Sequence, residues 1–266
     1  MEELIVLGTG NAAVTKCYNT CFALRKDEEF FLVDAGGGNG ILSALEKAEI
    51  GMERIHHIFI THEHTDHLLG IAWLVRMIGT KMNQGGYEGE LRIYCHEELV
   101  STIRTIVELT VQKKFCKFDD RMIFVPLKDR DQHVILGHEV TFFDIGSTKA
   151  KQFGFCMKLQ DGKTLTHLGD EPYREVEEEF VRGCTYLLHE AFCLYEERDI
   201  FKPYEKHHST VKEACELATE MGVSNLVLWH TEDKDLTHRK ERYTKEGRAY
   251  YTGKLYVPDD LDCITL

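Results

Sequence analysis

The stretch THEHTDHL, residues 61–68, places three histidines and one aspartate within six positions. It directly follows the apolar run IFI at 58–60, which predicts a buried β-strand. Imidazole and carboxylate groups are the natural ligands of zinc and similar divalent ions. One tetrahedral ion cannot easily take four ligands from so short a loop, so we expect His62 and His64 to face one ion and Asp66 and His67 to face another. A polar turn with helix-capping side chains is the alternative interpretation.

Composition limits the classes of protein to which the chain can belong. Its 266 residues suit one large α/β domain or two small ones. It carries 32 Lys and Arg against 45 Asp and Glu, a net charge of −13, which excludes a protein that holds nucleic acid by overall charge attraction. A local basic groove, or a metal site that binds phosphates, stays compatible with that charge.

The nine cysteines are odd in number and form no CxxC pair, which is typical of reduced thiols. The first residues lack the basic segment of a secretory leader, and no apolar stretch reaches the roughly 20 residues needed to span a bilayer. These patterns predict a cytoplasmic protein with no membrane association.

Short apolar runs alternate with helical patterns along most of the chain. They predict strands at 30–34, 57–61, 91–95, 122–126, 140–145, 153–159, 164–168, 186–189 and 226–229, and helices at 41–48, 68–78, 99–109, 176–181 and 211–221. Neither a linker nor a repeat interrupts the pattern, so we expect residues 1–266 to form a single domain. Mixed strands bracketed by helices favour a layered α/β sandwich over a doubly wound sheet.

Several potential ligands stand where predicted strands end. Asp34, His62, Asp170, His189 and His230 each directly follow or end an apolar run. Loops at the carboxyl ends of strands are where α/β proteins build their sites. We therefore expect a site at these strand ends.

The HxHxDH string resembles the metallo-β-lactamase superfamily of hydrolases, and three further motifs agree: LVDAG at 32–36, LGD at 168–170 and LVLWH at 226–230. The resemblance implies the superfamily's four-layer αββα sandwich, and a hydrolase with one or two metals. It implies that Asp170 lies between the metals and that His230 is the last ligand of the second metal. The expected ligands are thus His62, His64, Asp66, His67, Asp170 and His230.

A narrower resemblance is to ribonuclease Z and its relatives, carried by LGTGNAA at 7–13, Asn19, LHEAF at 188–192 and HST at 208–210. It implies a phosphodiesterase that acts on RNA or a small phosphodiester through a hydroxide shared by two divalent ions. Zinc is expected, with manganese or iron as alternatives. Asp66 would orient the hydroxide, and His208, held by Glu190, would protonate the leaving oxygen. Related enzymes are often homodimers, and no DNA-binding module is present.

Two positions depart from the ribonuclease Z pattern. The family places a further ligand histidine after a strand that here is 140–145, but Gly146 stands there, and alignment on the Gly154-Phe155 pair would instead select Thr148. The first metal would then keep His62, His64 and Asp170, with water in the gap. Residues 155–170 are also too few to hold the family's tRNA-binding arm.

Three functions therefore stay open: a phosphodiesterase, a hydrolase of lactones, esters or amides, and a degenerate metal-binding protein that has lost catalysis at Gly146. For Glu190 a buried structural carboxylate is the alternative role, and for His208 a surface histidine near a helix start. Lys149 and Lys151 with Gln152, and the segment 239–243, are either phosphate contacts or ordinary solvated surface.

Overall fold

A computed structural model describes residues 2–266. Its strands are β1 Glu2–Gly8, β2 Cys21–Lys26, β3 Glu29–Val33, β4 Ile55–Phe59, β5 Leu91–His96, β6 Met122–Leu127, β7 Gln132–Ile135, β8 His138–Asp144, β9 Phe153–Lys158, β10 Thr164–His167, β11 Tyr186–Glu190, β12 Asn225–Trp229, β13 Lys254–Tyr256 and β14 Cys263–Thr265. Its α-helices are α1 Gly40–Lys47, α2 Thr65–Leu68, α3 Ile71–Asn83, α4 Leu99–Thr110, α5 Glu178–Val181, α6 Arg198–Phe201, α7 Val211–Glu220 and α8 Leu236–Gly247.

The chain divides into two units. The first unit comprises the N-terminal residues through Gly8, Tyr18–Lys128 and Asp260–Leu266. Its sheet has the order β14-β1-β2-β3-β4-β5-β6, with parallel pairing from β3 to β6. Parallel strands align their carboxyl ends, so the residues after β3 and β4 lie at the same edge of this sheet.

Period-two alternation places Ile5 and Leu7 of β1 on the face that packs with the helices. On that side, α3 contributes a stripe of fully buried side chains at helical spacing: Ile71, Leu74, Val75 and Ile78. Burial of each such side chain contributes about 1.5–3 kcal/mol. The core thus fixes α3, and with it the loop 61–68 that leads into the helix.

The second unit comprises Thr9–Cys17 and Asp129–Asp259. Its sheet has the order β13-β12-β11-β10-β9-β8-β7, and β10 to β13 pair in parallel. One face packs with α7 and α8 through buried residues such as Val211, Ala214 and Tyr243. The ends of β10, β11 and β12 therefore share one edge, where Asp170, Glu190 and His230 stand.

The predicted strands and helices are present, with local differences. The helix expected at 68–78 is divided into α2 and α3, because the N–H of Gly70 donates to the carbonyl of Gly36 at 2.9 Å and the carbonyl of His67 accepts from the N–H of Ala35 at 2.8 Å, so both leave the helical ladder. Strands β1, β2, β7, β13 and β14 occur in addition to those predicted. No helix within residues 2–266 is long and apolar enough to cross a membrane. A single domain over 1–266 stays a prediction.

Candidate metal centre

The first cluster consists of His62, His64, Asp66 and His67, on the loop after β4 and on α2. His62, Asp66 and His67 are buried, and His64 is half-buried. Nε2 of His62 lies 2.8 Å from Nδ1 of His64, and Nε2 of His67 lies 3.3 Å from Oδ2 of Asp66. The two pairs are those expected to face separate ions.

Asp34 and Thr61 hold this loop in place. Oδ1 of Asp34 accepts from the backbone N–H of Thr61 at 2.9 Å, and Oδ2 lies 2.7 Å from Nδ1 of His67. The Thr61 hydroxyl also bonds to the Asp34 carboxylate, at 2.9 and 3.0 Å. Burial raises the pKa of Asp34, while the adjacent His67 and the Thr61 donors oppose that shift. With Nδ1 of His67 engaged by Asp34, the ring presents Nε2 to Asp66.

The second cluster consists of Asp170, His208 and His230, which each offer a ligand atom within 4.8 Å of the others. All three are buried. Nε2 of His230 lies 3.5 Å from Oδ2 of Asp170, and the rings of His208 and His230 have centroids 5.1 Å apart. His230 adopts a left-handed backbone with φ of 55°, which turns the chain sharply after β12.

Glu190, the last residue of β11, lies fully buried behind His208. Its Oε1 accepts from the backbone N–H of Ser209 at 2.5 Å, and its Oε2 lies 3.6 Å from Nδ1 of His208. The His208 ring stacks on Phe192, with centroids 4.8 Å apart and planes inclined by 9°. His208 is therefore no surface histidine, and the N-cap of α7 is Thr210, which forms a capping box with Glu213.

The spacing of these donor atoms tests whether divalent ions fit. Two atoms bound at ~2.1 Å to one tetrahedral ion lie ~3.4 Å apart. The Asp66–His67 pair at 3.3 Å and the Asp170–His230 pair at 3.5 Å match that value, and the His62–His64 pair at 2.8 Å is somewhat closer. The donors are imidazole and carboxylate, as zinc prefers. The residues present thus fit divalent ions.

The segment after β8 carries no histidine, as the sequence indicates. Gly146 is exposed and left-handed, with φ of 70°, and a Cβ there would lie 3.5 Å from Val176 and 3.7 Å from Arg174. The buried side chain of this segment is Gln152, whose Nε2 donates to Oδ1 of Asp170 at 2.8 Å. Ser147 donates to Glu171 at 2.6 Å.

Sequence reasoning missed the partners that support the expected ligands. Asp34 stands out in the sequence by its LVDAG motif, but its bond to His67 does not. Gln152 follows Lys149 and Lys151, and from the sequence we expect it to contact phosphate or solvent, not Asp170. Arg239, considered a phosphate contact, is instead buried and donates to Thr9, Thr231, Pro258 and Asp259. Arg242 is paired with Glu196, Glu197 and Asp235. Both arginines of the segment 239–243 therefore bind polar and acidic groups of the protein itself.

Comparison with known proteins relates the chain to one family and to a wider fold. The sequence profile described as "Anti-Pycsar protein Apyc1" matches residues 2–250. Ribonuclease Z of Thermococcus sibiricus is 27% identical, with 100% of this chain and 97% of that protein covered. That alignment extends over 306 positions whereas this chain has 266 residues, so the relative carries insertions.

Two solved structures share the fold. The metallo-β-lactamase fold protein YhfI from Bacillus subtilis superposes with a TM-score of 0.81 at 16% identity, over 99% of this chain and 98% of that one. The short form of human tRNase Z gives 0.74 at 23% identity, over 99% and 98%. They confirm the predicted fold class, the four-layer αββα metallo-β-lactamase-type sandwich. The relatives likewise confirm the predicted enzyme class, a metal-dependent hydrolase, and the fold family implies divalent metals.

Proposed function

We propose, from the premise that this chain belongs to the anti-Pycsar protein Apyc1 family, that it is a metal-dependent phosphodiesterase that hydrolyses a small phosphodiester such as a cyclic nucleotide. Through that hydrolysis it would exert the anti-Pycsar action that the family's name states. The observation that carries the proposal is the pair of buried donor clusters, whose atoms have the spacing of ligands to tetrahedral ions.

The proposed ligands are those expected from the sequence. His62, His64 and Asp170 would hold a first ion, and Asp66, His67 and His230 a second, with Asp170 shared between them. Zinc is the expected metal, since imidazole supplies two of the three donors to the first ion and two of the four to the second, and carboxylate supplies the rest; manganese or iron are alternatives. The absence of a histidine at Gly146 leaves the first ion with one protein ligand fewer than the second.

When bound, two divalent ions lower the pKa of water to about 7 and neutralise charge that develops on the phosphate. The chain's own residues supply orientation and a proton. Asp66 would accept a hydrogen bond from the attacking water and direct it at phosphorus. Nε2 of His208 would donate a proton to the leaving oxygen, and such general acid catalysis contributes roughly 10²–10⁴-fold.

Glu190 would keep His208 ready for that proton transfer. Its Oε2 faces Nδ1 of His208 at 3.6 Å, a separation that a small ring movement would close to a hydrogen bond. Its Oε1 is held by the backbone of Ser209, and the Phe192 ring supports the imidazole from one face. A carboxylate behind the imidazole stabilises the protonated ring before it donates.

Two features favour a small substrate over tRNA. β9 ends at Lys158 and β10 begins at Thr164, so only a short turn occupies the place where an RNA-binding arm would be inserted. The net charge of −13 repels a polyanion, and each phosphate of a long RNA would add to that repulsion. A substrate with one phosphodiester carries little charge, so the ions and one local contact would suffice to bind it.

The test is a substrate panel for the purified protein with zinc or manganese: bis-p-nitrophenyl phosphate, the four 3′,5′-cyclic mononucleotides, a precursor tRNA and a lactone. We expect turnover of the model phosphodiester and of at least one cyclic nucleotide. Turnover of the lactone alone would select the carbon-ester hydrolase. No turnover with any divalent ion would select the degenerate metal-binding protein.

We also propose that the protein acts in the cytoplasm and forms a homodimer. Reduced thiols support the cytoplasmic location: Cys21, Cys95 and Cys193 are buried without a disulfide, and burial raises the pKa of Cys95 to about 12. The exposed apolar side chains Leu69 and Trp73, one turn apart beside the first cluster, support the homodimer. Sedimentation of the purified protein tests the proposed homodimer.

A further inference from the structure

The segment 146–152 stands where the ribonuclease Z pattern has a ligand histidine, and it contains one buried polar side chain that no role yet explains. Gln152 is 1% exposed, although its neighbours Lys149 and Lys151 reach solvent fully or in part. Burying an amide is costly unless it is hydrogen-bonded. The position of Gln152 therefore calls for a specific partner.

That partner is Asp170. Nε2 of Gln152 donates to Oδ1 of Asp170 at 2.8 Å, between two side chains that are both buried. A hydrogen bond to a carboxylate in such surroundings is roughly twice as strong as one between neutral groups. The bond also selects between the two carboxylate oxygens, since Oδ2 is the one that lies 3.5 Å from Nε2 of His230.

The backbone beside Asp170 is shaped to admit this amide. Gly169 is left-handed, with φ of 77°, and a Cβ on it would lie 2.5 Å from Nε2 of Gln152. The backbone also closes the segment, because the N–H of Ile145 donates to the carbonyl of Gln152 at 3.1 Å. The backbone of Gln152 is thus held by Ile145, and its side chain packs against Gly169 in the turn that carries Asp170.

We infer that Gln152 is a positioning residue that fixes the Asp170 carboxylate and presents Oδ2 to the divalent ions. The segment that supplies a ligand in the ribonuclease Z pattern here supports an existing ligand instead. The inference rests on the proposed function, in which Asp170 is a metal ligand. Partners of this kind typically change metal affinity or activity by 10–100-fold.

The experiment compares cobalt binding to the wild-type protein, Gln152→Met and Gln132→Met, followed by visible absorbance and by metal analysis. Methionine keeps the length of glutamine and removes the donor. Gln132 lies on the exposed edge strand β7 and donates only a long 3.4 Å bond to Thr141, so it controls for the same chemical change. We expect Q152M to weaken binding of at least one cobalt ion by roughly 10–100-fold and to change its absorbance bands, and Q132M to leave both unchanged.

Non-additivity then identifies the route of the effect. If Gln152 acts through Asp170, Q152M adds no further loss to Asp170→Asn, because the carboxylate that it positions is already gone. Equal cobalt affinity and spectra in Q152M and wild type would overturn the inference. So would additive losses in the double variant.

A wild-type protein that binds no divalent ion would contradict the proposed function itself, which is a separate outcome. Should Q152M not fold, the side-chain amide resonance of Gln152 in the wild-type protein gives the answer. We expect that resonance to shift when zinc is added, because the acceptor carboxylate becomes a ligand. An unchanged resonance at full zinc occupancy would overturn the inference.

Discussion

Nδ1 of His67 lies 2.7 Å from Oδ2 of Asp34, and both side chains are almost completely buried. Asp34 reaches this position from the end of β3 with a left-handed backbone, φ of 58°, which an aspartate adopts at low cost. The same carboxylate accepts from the N–H and the hydroxyl of Thr61. The Asp34 carboxylate therefore fixes Thr61, which directly precedes the first cluster, and also the ring orientation of His67, the last histidine of that cluster.

We predict that Asp34→Asn reduces zinc affinity and phosphodiesterase turnover by roughly 10–100-fold. The amide keeps the shape of the carboxylate, but its NH₂ cannot accept from His67 or Thr61. The unmatched donors should lower the free energy of unfolding by about 1–3 kcal/mol. Isothermal titration with zinc and urea unfolding measure the two effects.

Asp27→Asn provides the control for that substitution. Asp27 is also left-handed, with φ of 55°, but it is exposed in the turn between β2 and β3. The zinc affinity and the stability of the Asp27→Asn variant should equal those of the wild type. Equal zinc affinity in Asp34→Asn would show that Asp34 does not orient the cluster.

We predict that His208→Ala lowers turnover by roughly 10²–10⁴-fold while the number of bound metal ions stays the same. The reason is that His208 would supply a proton and not a ligand. His207→Ala is the control, because His207 is the exposed neighbour and should leave turnover unchanged. Loss of an ion in His208→Ala would instead make His208 a ligand with Asp170 and His230, a grouping that its position within 4.8 Å of both permits.

We predict that Gly146→His neither adds a metal ligand nor raises activity. The residue is exposed, and its side chain would start towards Val176 and Arg174. The left-handed backbone also costs a non-glycine residue roughly 1–2 kcal/mol. Gly162→His controls for that cost, since Gly162 has φ of 74° and open space around it. A gain of activity specific to Gly146→His would show that the chain is a degenerate enzyme.

We predict that Glu177→Gln removes a pH-dependent loss of stability. Burial raises the pKa of Glu177 to about 8 from 4.5, with Glu171 adding to the shift and Arg174 opposing it. The folded state thus holds a proton that the unfolded state releases. Stability from this group is complete below pH 4.5 and declines as the pH rises towards 8.

The variant stays neutral throughout, so its advantage over wild type should grow across that window to at most about 5 kcal/mol, at about 1.4 kcal/mol per pKa unit. Urea unfolding at several pH values measures the difference. Glu175→Gln, two residues away and exposed, should follow the wild-type curve. Parallel curves for Glu177→Gln and wild type would contradict the raised pKa.

Much of the fold follows from local patterns. The apolar runs within β3, β11 and β12 are continuous because both faces of these strands are buried, and continuous runs are visible in a sequence. The edge strands β13 and β14 have three residues each, too few for a periodic signal. They exist because β12 and β1 offer them a hydrogen-bonding partner.

The sequence by itself predicted the candidate donors: the HxHxDH string, Asp170 and His230 stand out because they are imidazoles and carboxylates that come after predicted strands. Only the tertiary structure decided what holds them. Asp34 and His67 are 33 residues apart, Gln152 and Asp170 are 18 apart, and Ser209 and Glu190 are 19 apart. Such hydrogen bonds depend on strand order and register, which no local pattern specifies. Gln152 could therefore pass for a surface residue until β8, β9 and β10 were brought side by side.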